Sequence, residues 1–163
     1  MPEEVSGFSE ALESHRDRIR KRINELNEHL SRVTFDRKEQ TFIQLMIEDA
    51  GDDGVRRFKK LRRHALEGDL ESDDDDERRR ERYHRVEQFL GELEQDTNWT
   101  ERVIDVRNWF KFRADEFYKE EGNLRQSYSG AAGKSGGEKN RLASTILATA
   151  IAYQYGIDVG GKQ

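Results

Sequence analysis

Gly130-Ala-Ala-Gly-Lys-Ser-Gly-Gly-Glu-Lys-Asn-Arg141 is the stretch in which residue type and spacing point to chemistry, and that chemistry is anion binding. The first N–H groups of a helix have no carbonyl partner within it, and the helix dipole favours negative charge there. A helix pattern starts directly after Gly137. Gly136 and Gly137 let the backbone approach a phosphate with no side chain in the way, and Ser135 adds a hydroxyl donor. Glu138 and Lys139 fall in the first helical turn. A P-loop competes for the same letters through Gly133-Lys134-Ser135. That motif needs a glycine five positions before Gly133, where Tyr128 stands. Leu124-Arg-Gln-Ser-Tyr128 is also not the buried apolar strand that feeds a P-loop. A plain glycine linker is the third reading, and it leaves the helix after Gly137 unexplained.

Several elements must position this stretch. Residues 8–33 read as one helix, with Leu12, Ile19, Leu26 and Val33 at one heptad position and Ser9, Arg16, Ile23 and Leu30 at the other. The spacing alternates four and three, as in a supercoiled pair, so the segment is either the end of a coiled coil or an amphipathic packing helix. Thr41 to Ile47 has strand composition, and Gly51-Asp-Asp-Gly54 breaks it. Val55, Phe58, Leu61, Ala65 and Leu66 recur at helical spacing, among Arg56, Arg57, Lys59, Lys60, Arg62 and Arg63. A loop over 68–76 and a second helix with Tyr83, Val86, Phe89, Leu90 and Leu93 inside follow. From Ile104 to Ala114 apolar and charged residues alternate, which predicts a strand with one buried face. A turn over 119–123 and a returning hairpin strand from Leu124 come next. The helix from Glu138 to Tyr155 is apolar on most sides, predicting burial, and Gly156 suits its C-terminal end.

Composition sets outer bounds. In 163 residues, 39% are charged and 33% hydrophobic, which disfavours a large self-sufficient core. With no cysteine, disulfide scaffolds and thiolate metal sites are excluded. The 29 basic and 34 acidic residues nearly cancel, so global nucleic-acid binding does not follow, although the basic helix over 56–63 is a local candidate. Fifteen aromatics argue against disorder along the whole chain. No apolar stretch spans a bilayer and no signal-peptide pattern opens the chain, so a cytoplasmic protein is expected. His15, His29, His64 and His84 share no ligand spacing, and consecutive Asp73 to Asp76 read as a solvated loop, so no metal site is expected. Trp99 and Trp109 are expected to pack rather than stack on bases. A hydrolase nucleophile at Ser135 is not expected.

Asp105-Val-Arg-Asn-Trp-Phe-Lys-Phe112, the hairpin, Gly133-Lys-Ser-Gly-Gly-Glu-Lys139, Leu142-Ala143, Ile146-Leu-Ala148 and Ile151-Ala-Tyr-Gln-Tyr-Gly156 together resemble the C-terminal head region of SMC-like ABC-type ATPases. The likeness is greatest to the SbcC/MukB-like group, including the large ATPase subunit of Wadjet-type plasmid-defence complexes. Lys134, where many SMC heads have leucine before Ser-Gly-Gly, is similar to the Wadjet-type branch. The resemblance is strong over 101–156 and looser over 8–100, where the family's coiled coil enters its head. It implies an α/β (α+β) fragment: a partial ATPase head lobe over 37–163, with a β-hairpin and flanking helices, behind the end of a coiled-coil helix over 1–36. It also implies ATP with Mg2+, held by the Walker A loop of a partner head. Ser135, Gly136 and Gly137 would contact the γ-phosphate, with Lys134, Glu138 and Lys139 beside them. The partner is then a second ATPase head or the remainder of a split SMC-like protein, with double-stranded DNA reached through the complex and no membrane.

The sequence departs from that family in two ways. No Walker A motif is present, and no run of four apolar residues precedes Asp-Glu as a Walker B strand requires. The chain is therefore expected to be cut before Walker B and to lack ATPase activity alone, with no catalytic residue of its own. A signature-bearing lobe acting in trans, a non-enzymatic coiled-coil interaction module and a non-functional truncated remnant remain the three readings.

Overall fold

The computed structural model describes residues 2–67, 76–129 and 136–157. Its elements run α1 (Pro2–Leu30), β1 (Thr41–Asp49), α2 (Asp53–Leu66), α3 (Asp76–Gln95), α4 (Thr97–Ile104), a 3₁₀ turn (Val106–Trp109), β2 (Phe110–Tyr118), β3 (Leu124–Tyr128) and α5 (Gly136–Gln154). The strands form one sheet in the order β1-β2-β3. β3 runs antiparallel to β2, with Ala114 opposite Tyr128 and Glu116 opposite Gln126. The expected α+β architecture is therefore present. Two compact units partition the chain, Met1–Arg18 with Asp49–Lys111 and Ile19–Glu48 with Phe112–Gln163.

The first unit has an aromatic core. Phe58 on α2 is fully buried, and the rings of Phe89, Trp99 and Trp109 stand 5.9, 6.3 and 6.2 Å from it. Each tryptophan also satisfies its polar edge: Trp109 Nε1 donates to the Val103 carbonyl at 2.7 Å, and Trp99 Nε1 to the Gly54 carbonyl at 3.1 Å. Both therefore pack, as expected. Asp52 caps α2 by accepting the Val55 amide at 3.0 Å. Gly54 sits in a tight place: a Cβ there would displace the Arg102 guanidinium, press on the Asp52 cap carboxylate at 2.9 Å and stand 3.2 Å from the Trp99 ring.

The strand expected over 104–114 needs correction. Ile104 ends α4, a 3₁₀ turn follows, and β2 begins at Phe110. Asp96 caps α4 through the Trp99 amide at 2.9 Å, and Trp99 and Val103, four apart, are its buried face. A helical period and a 3₁₀ turn laid end to end produced an accidental alternation of two. Phe112, expected inside, is 47% exposed.

In the second unit α1 contributes Leu26 and Leu30 to the core, while Ile19 and Ile23 are half-buried. Asn27 bridges α1 to β1 by donating to the Leu45 carbonyl at 2.8 Å and accepting its amide at 2.7 Å. Phe42 and Phe117 stack across β1 and β2 at 5.8 Å. His29 on α1 meets Tyr153 on α5 with ring centres 4.8 Å apart, and Tyr153 also bonds Glu25. α5 ends as the sequence suggests. Gly156 has φ +67°, its amide bonds the Tyr153 carbonyl at 3.2 Å, and the Ile157 amide bonds the Ala152 carbonyl at 2.8 Å, a Schellman arrangement.

The expected burial of α5 is the second correction. Thr149 and Ala152 are its buried residues, whereas Leu147 is 62% and Ile151 46% exposed. Tyr155 and Ile157 extend the exposed apolar stripe beyond the helix. Spacing alone gives an apolar helix; only one of its faces meets this unit.

Candidate anion site at the start of α5

Gly136 and Gly137 are the first residues of α5, and both are exposed. Among the described residues, a Cβ built on either would meet nothing within 4 Å, so none of these side chains covers their backbone. Glu138 is exposed in the first turn and Lys139 is half-buried. Ser135 and Lys134 lie outside the described residues, as do Gly130 to Gly133 and Asp73 to Asp75. Open glycine backbone at a helix N-terminus has the donors and dipole that a phosphate oxygen needs. The residues present therefore fit the anion for which they were singled out.

The β2–β3 hairpin that precedes α5 carries a buried charge. Glu116 on β2 is fully buried. Its Oε1 accepts Thr41 Oγ1 at 2.6 Å and Arg125 Nη1 at 2.9 Å. Its Oε2 accepts Gln126 Nε2 and the Tyr128 hydroxyl, both at 2.8 Å. Burial pushes the carboxyl up, but these four donors outweigh it and hold the group below its ordinary value. The Tyr128 phenol is pushed well up, by burial first and then by its bond to that carboxylate. The charge of Glu138 adds slightly to this rise.

Arg141, in the second turn of α5, reaches back to the turn before β1. Its Nη2 donates to the Phe35 carbonyl at 2.9 Å and stands 3.6 Å from Asp36 Oδ2, while its guanidinium covers the Phe35 ring at 4.3 Å. Asp36 accepts the Lys38 and Glu39 amides at 2.9 and 3.2 Å. The Glu39 amide is the main cause of its lowered carboxyl pKa, and Arg141 and Arg125 lower it further.

Gly133 to Gly137 also spells G-x-S-x-G, so a hydrolase nucleophile needs a structural test. Such a serine requires a histidine within hydrogen-bond reach. His29 is the histidine of this unit, and it is stacked on Tyr153. At 1.5 Å per residue Tyr153 lies about 25 Å along α5 from Gly136. His29, held at that end of α5, is therefore remote from its first turn. Among the described residues no group of three or more His, Asp or Glu is arranged to hold a metal ion. No described helix is long and apolar enough to cross a membrane.

Residues 101–163 match a family model described as SbcC/RAD50-like, Walker B motif. The matched segment begins in α4 and takes in β2, β3 and α5, so it contains both the open glycines and the buried carboxylate. This SbcC/RAD50-like segment coincides with the stretch over which the residues themselves resemble SMC-like heads. No curated protein matches the chain.

Sequence reasoning missed Glu116, Arg125, Asp36 and Arg141. The alternation read in the sequence stops at Ala114, yet Asp115 and Glu116 beyond it are 2% and 0% exposed. The available signal was Arg125, Gln126 and Tyr128 on the facing strand, three donors where a solvated edge needs none.

Proposed function

We propose that this chain is the signature-bearing lobe of an SMC-like ATPase head, acting on ATP held by a partner. The carrying observation is the open backbone of Gly136 and Gly137 at the first turn of α5, inside the SbcC/RAD50-like segment. In this reading Ser135, Gly136 and Gly137 contact the γ-phosphate, with Lys134, Glu138 and Lys139 around them. The bound Mg2+-nucleotide supplies the charge and the bond to be broken. The chain's own contribution is the glycine backbone and the helix dipole at the start of α5, which favour the phosphate oxygens and keep a side chain out of their path. Walker A and Walker B belong to the partner head, so turnover needs both. Residues 1–36 are the end of a coiled coil entering the head, and 37–163 the head lobe. The half-buried Ile19 and Ile23 leave part of the heptad seam open, which supports that division. The work of the assembly is ATP-driven engagement and release of heads on double-stranded DNA, in chromosome maintenance or plasmid defence.

The test is nucleotide-dependent association. The probe is an SbcC/RAD50-type head with intact Walker motifs and arginine in place of its own signature serine. Sedimentation with this chain should show a complex in a slowly hydrolysed ATP analogue with Mg2+, and none without nucleotide or with Ser135→Arg. A complex indifferent to nucleotide contradicts the proposal. It would favour the second reading, a non-enzymatic interaction module, for which the exposed stripe of Leu147, Ile151, Tyr155 and Ile157 is the supporting observation.

A further inference from the structure

Six residues of the second unit close a ring. Glu116 binds Arg125 at 2.9 Å, and the same Arg125 nitrogen stands 3.8 Å from Asp36 Oδ2. That oxygen is 3.6 Å from Arg141, whose guanidinium covers the Phe35 ring. Phe35 meets Tyr128 edge-on with ring centres 6.2 Å apart, and the Tyr128 hydroxyl returns to Glu116 at 2.8 Å. The circuit joins β2, β3, the turn before β1 and the second turn of α5. Two carboxylates and two guanidiniums balance within it, so no buried charge is left uncompensated.

A ring of this kind does more than add contacts. Tyr153 near the end of α5 and Arg141 near its start both bond the helix to other elements of this unit. A helix is rigid over a few turns, so holding Arg141 also fixes the first turn, five residues and about 7 Å away. Arg141 is held from two directions, by a backbone carbonyl and by a carboxylate whose other ion-pair partner is Arg125. We propose that this ring sets the direction in which the first turn of α5 presents its amides, making Glu116 and Arg141 positioning residues for the phosphate contact. The inference rests on the function proposed above and adds residues that hold the site without touching the nucleotide.

The test is hydrogen exchange on the full chain, with Arg141→Gln and Glu116→Gln as ring variants. Arg113→Gln is the comparison, because it breaks the two-bond pair with Asp115 at 2.9 and 3.1 Å on β2 but lies outside the ring. The readout is the exchange rate at Asn140, Arg141 and Leu142 relative to Ala150, Ile151 and Ala152, since a general loss of stability moves both sets. Both ring variants should raise this ratio about tenfold by local opening, and Arg113→Gln should leave it unchanged. An unchanged ratio in the ring variants, or an equal rise in Arg113→Gln, overturns the proposal. The functional arm uses the signature-dead head as partner. Arg141→Gln should lower the stimulated kcat and leave KM for ATP unchanged, because the partner holds the nucleotide; a rise in KM with kcat intact contradicts positioning. If Ser135→Arg leaves turnover untouched, the phosphate contact falls and the positioning role with it. The exchange ratio then still judges the ring's hold on α5, so the two failures are distinguishable.

Discussion

Glu116 is a carboxylate without solvent, kept ionised by four donors from β1 and β3. Its folded pKa lies below the ordinary value of 4.5, and that of Asp36 below 3.8. The folded state therefore binds fewer protons than the unfolded chain in this range. Each group contributes stability that is complete above its ordinary value and is lost as pH falls through the folded value. The melting temperature should hold steady from neutrality down to about pH 5 and then fall, and Glu116→Gln should flatten part of that fall. An unchanged acid slope in the variant would remove Glu116 from the account. Gly54 makes a second residue-scale case. Alanine there displaces the Arg102 guanidinium and crowds the Asp52 cap and the Trp99 ring, which should cost about 1 kcal/mol in denaturant unfolding.

At the scale of elements, α5 is the instructive case. Its apolar residues were legible in the sequence, and so was its end at Gly156, but not the face left uncovered. Periodicity reports which residues are apolar, while burial depends on what else packs against them. Leu147→Gln and Ile151→Gln should accordingly change the stability of the isolated chain by less than about 0.5 kcal/mol. Ala152→Leu, on the buried side, should cost about 1–3 kcal/mol by overpacking. Equal losses on both faces in thermal unfolding would contradict the exposed stripe. β1, α2, α3 and the hairpin were legible for the same reason that α5 was: each is long and strongly patterned. α4 was not, because eight residues after the Asp96 cap are too few to declare a period against the 3₁₀ turn that follows. The glycines that open α5 could be read from spacing. The ring behind them could not, because its members come from four separate segments between Phe35 and Arg141.

At the scale of the whole molecule, each unit has its own means of holding together. The first rests on the aromatic cluster around Phe58, and Phe58→Ala should cost about 3–5 kcal/mol in denaturant unfolding. The second combines the His29–Tyr153 ring contact between α1 and α5 with the buried charges of the sheet. The glycine start of α5, residues 112–163 of the SbcC/RAD50-like match and the ring through Arg141 lie in that second unit. The central claim is that its first α5 turn completes an ATP site in another chain. ATP turnover by the signature-dead head, with and without this chain, tests that claim most directly. The account predicts turnover that rises with added chain, saturates, and disappears with Ser135→Arg; no rise with chain whose folding is verified by its melting transition would contradict it.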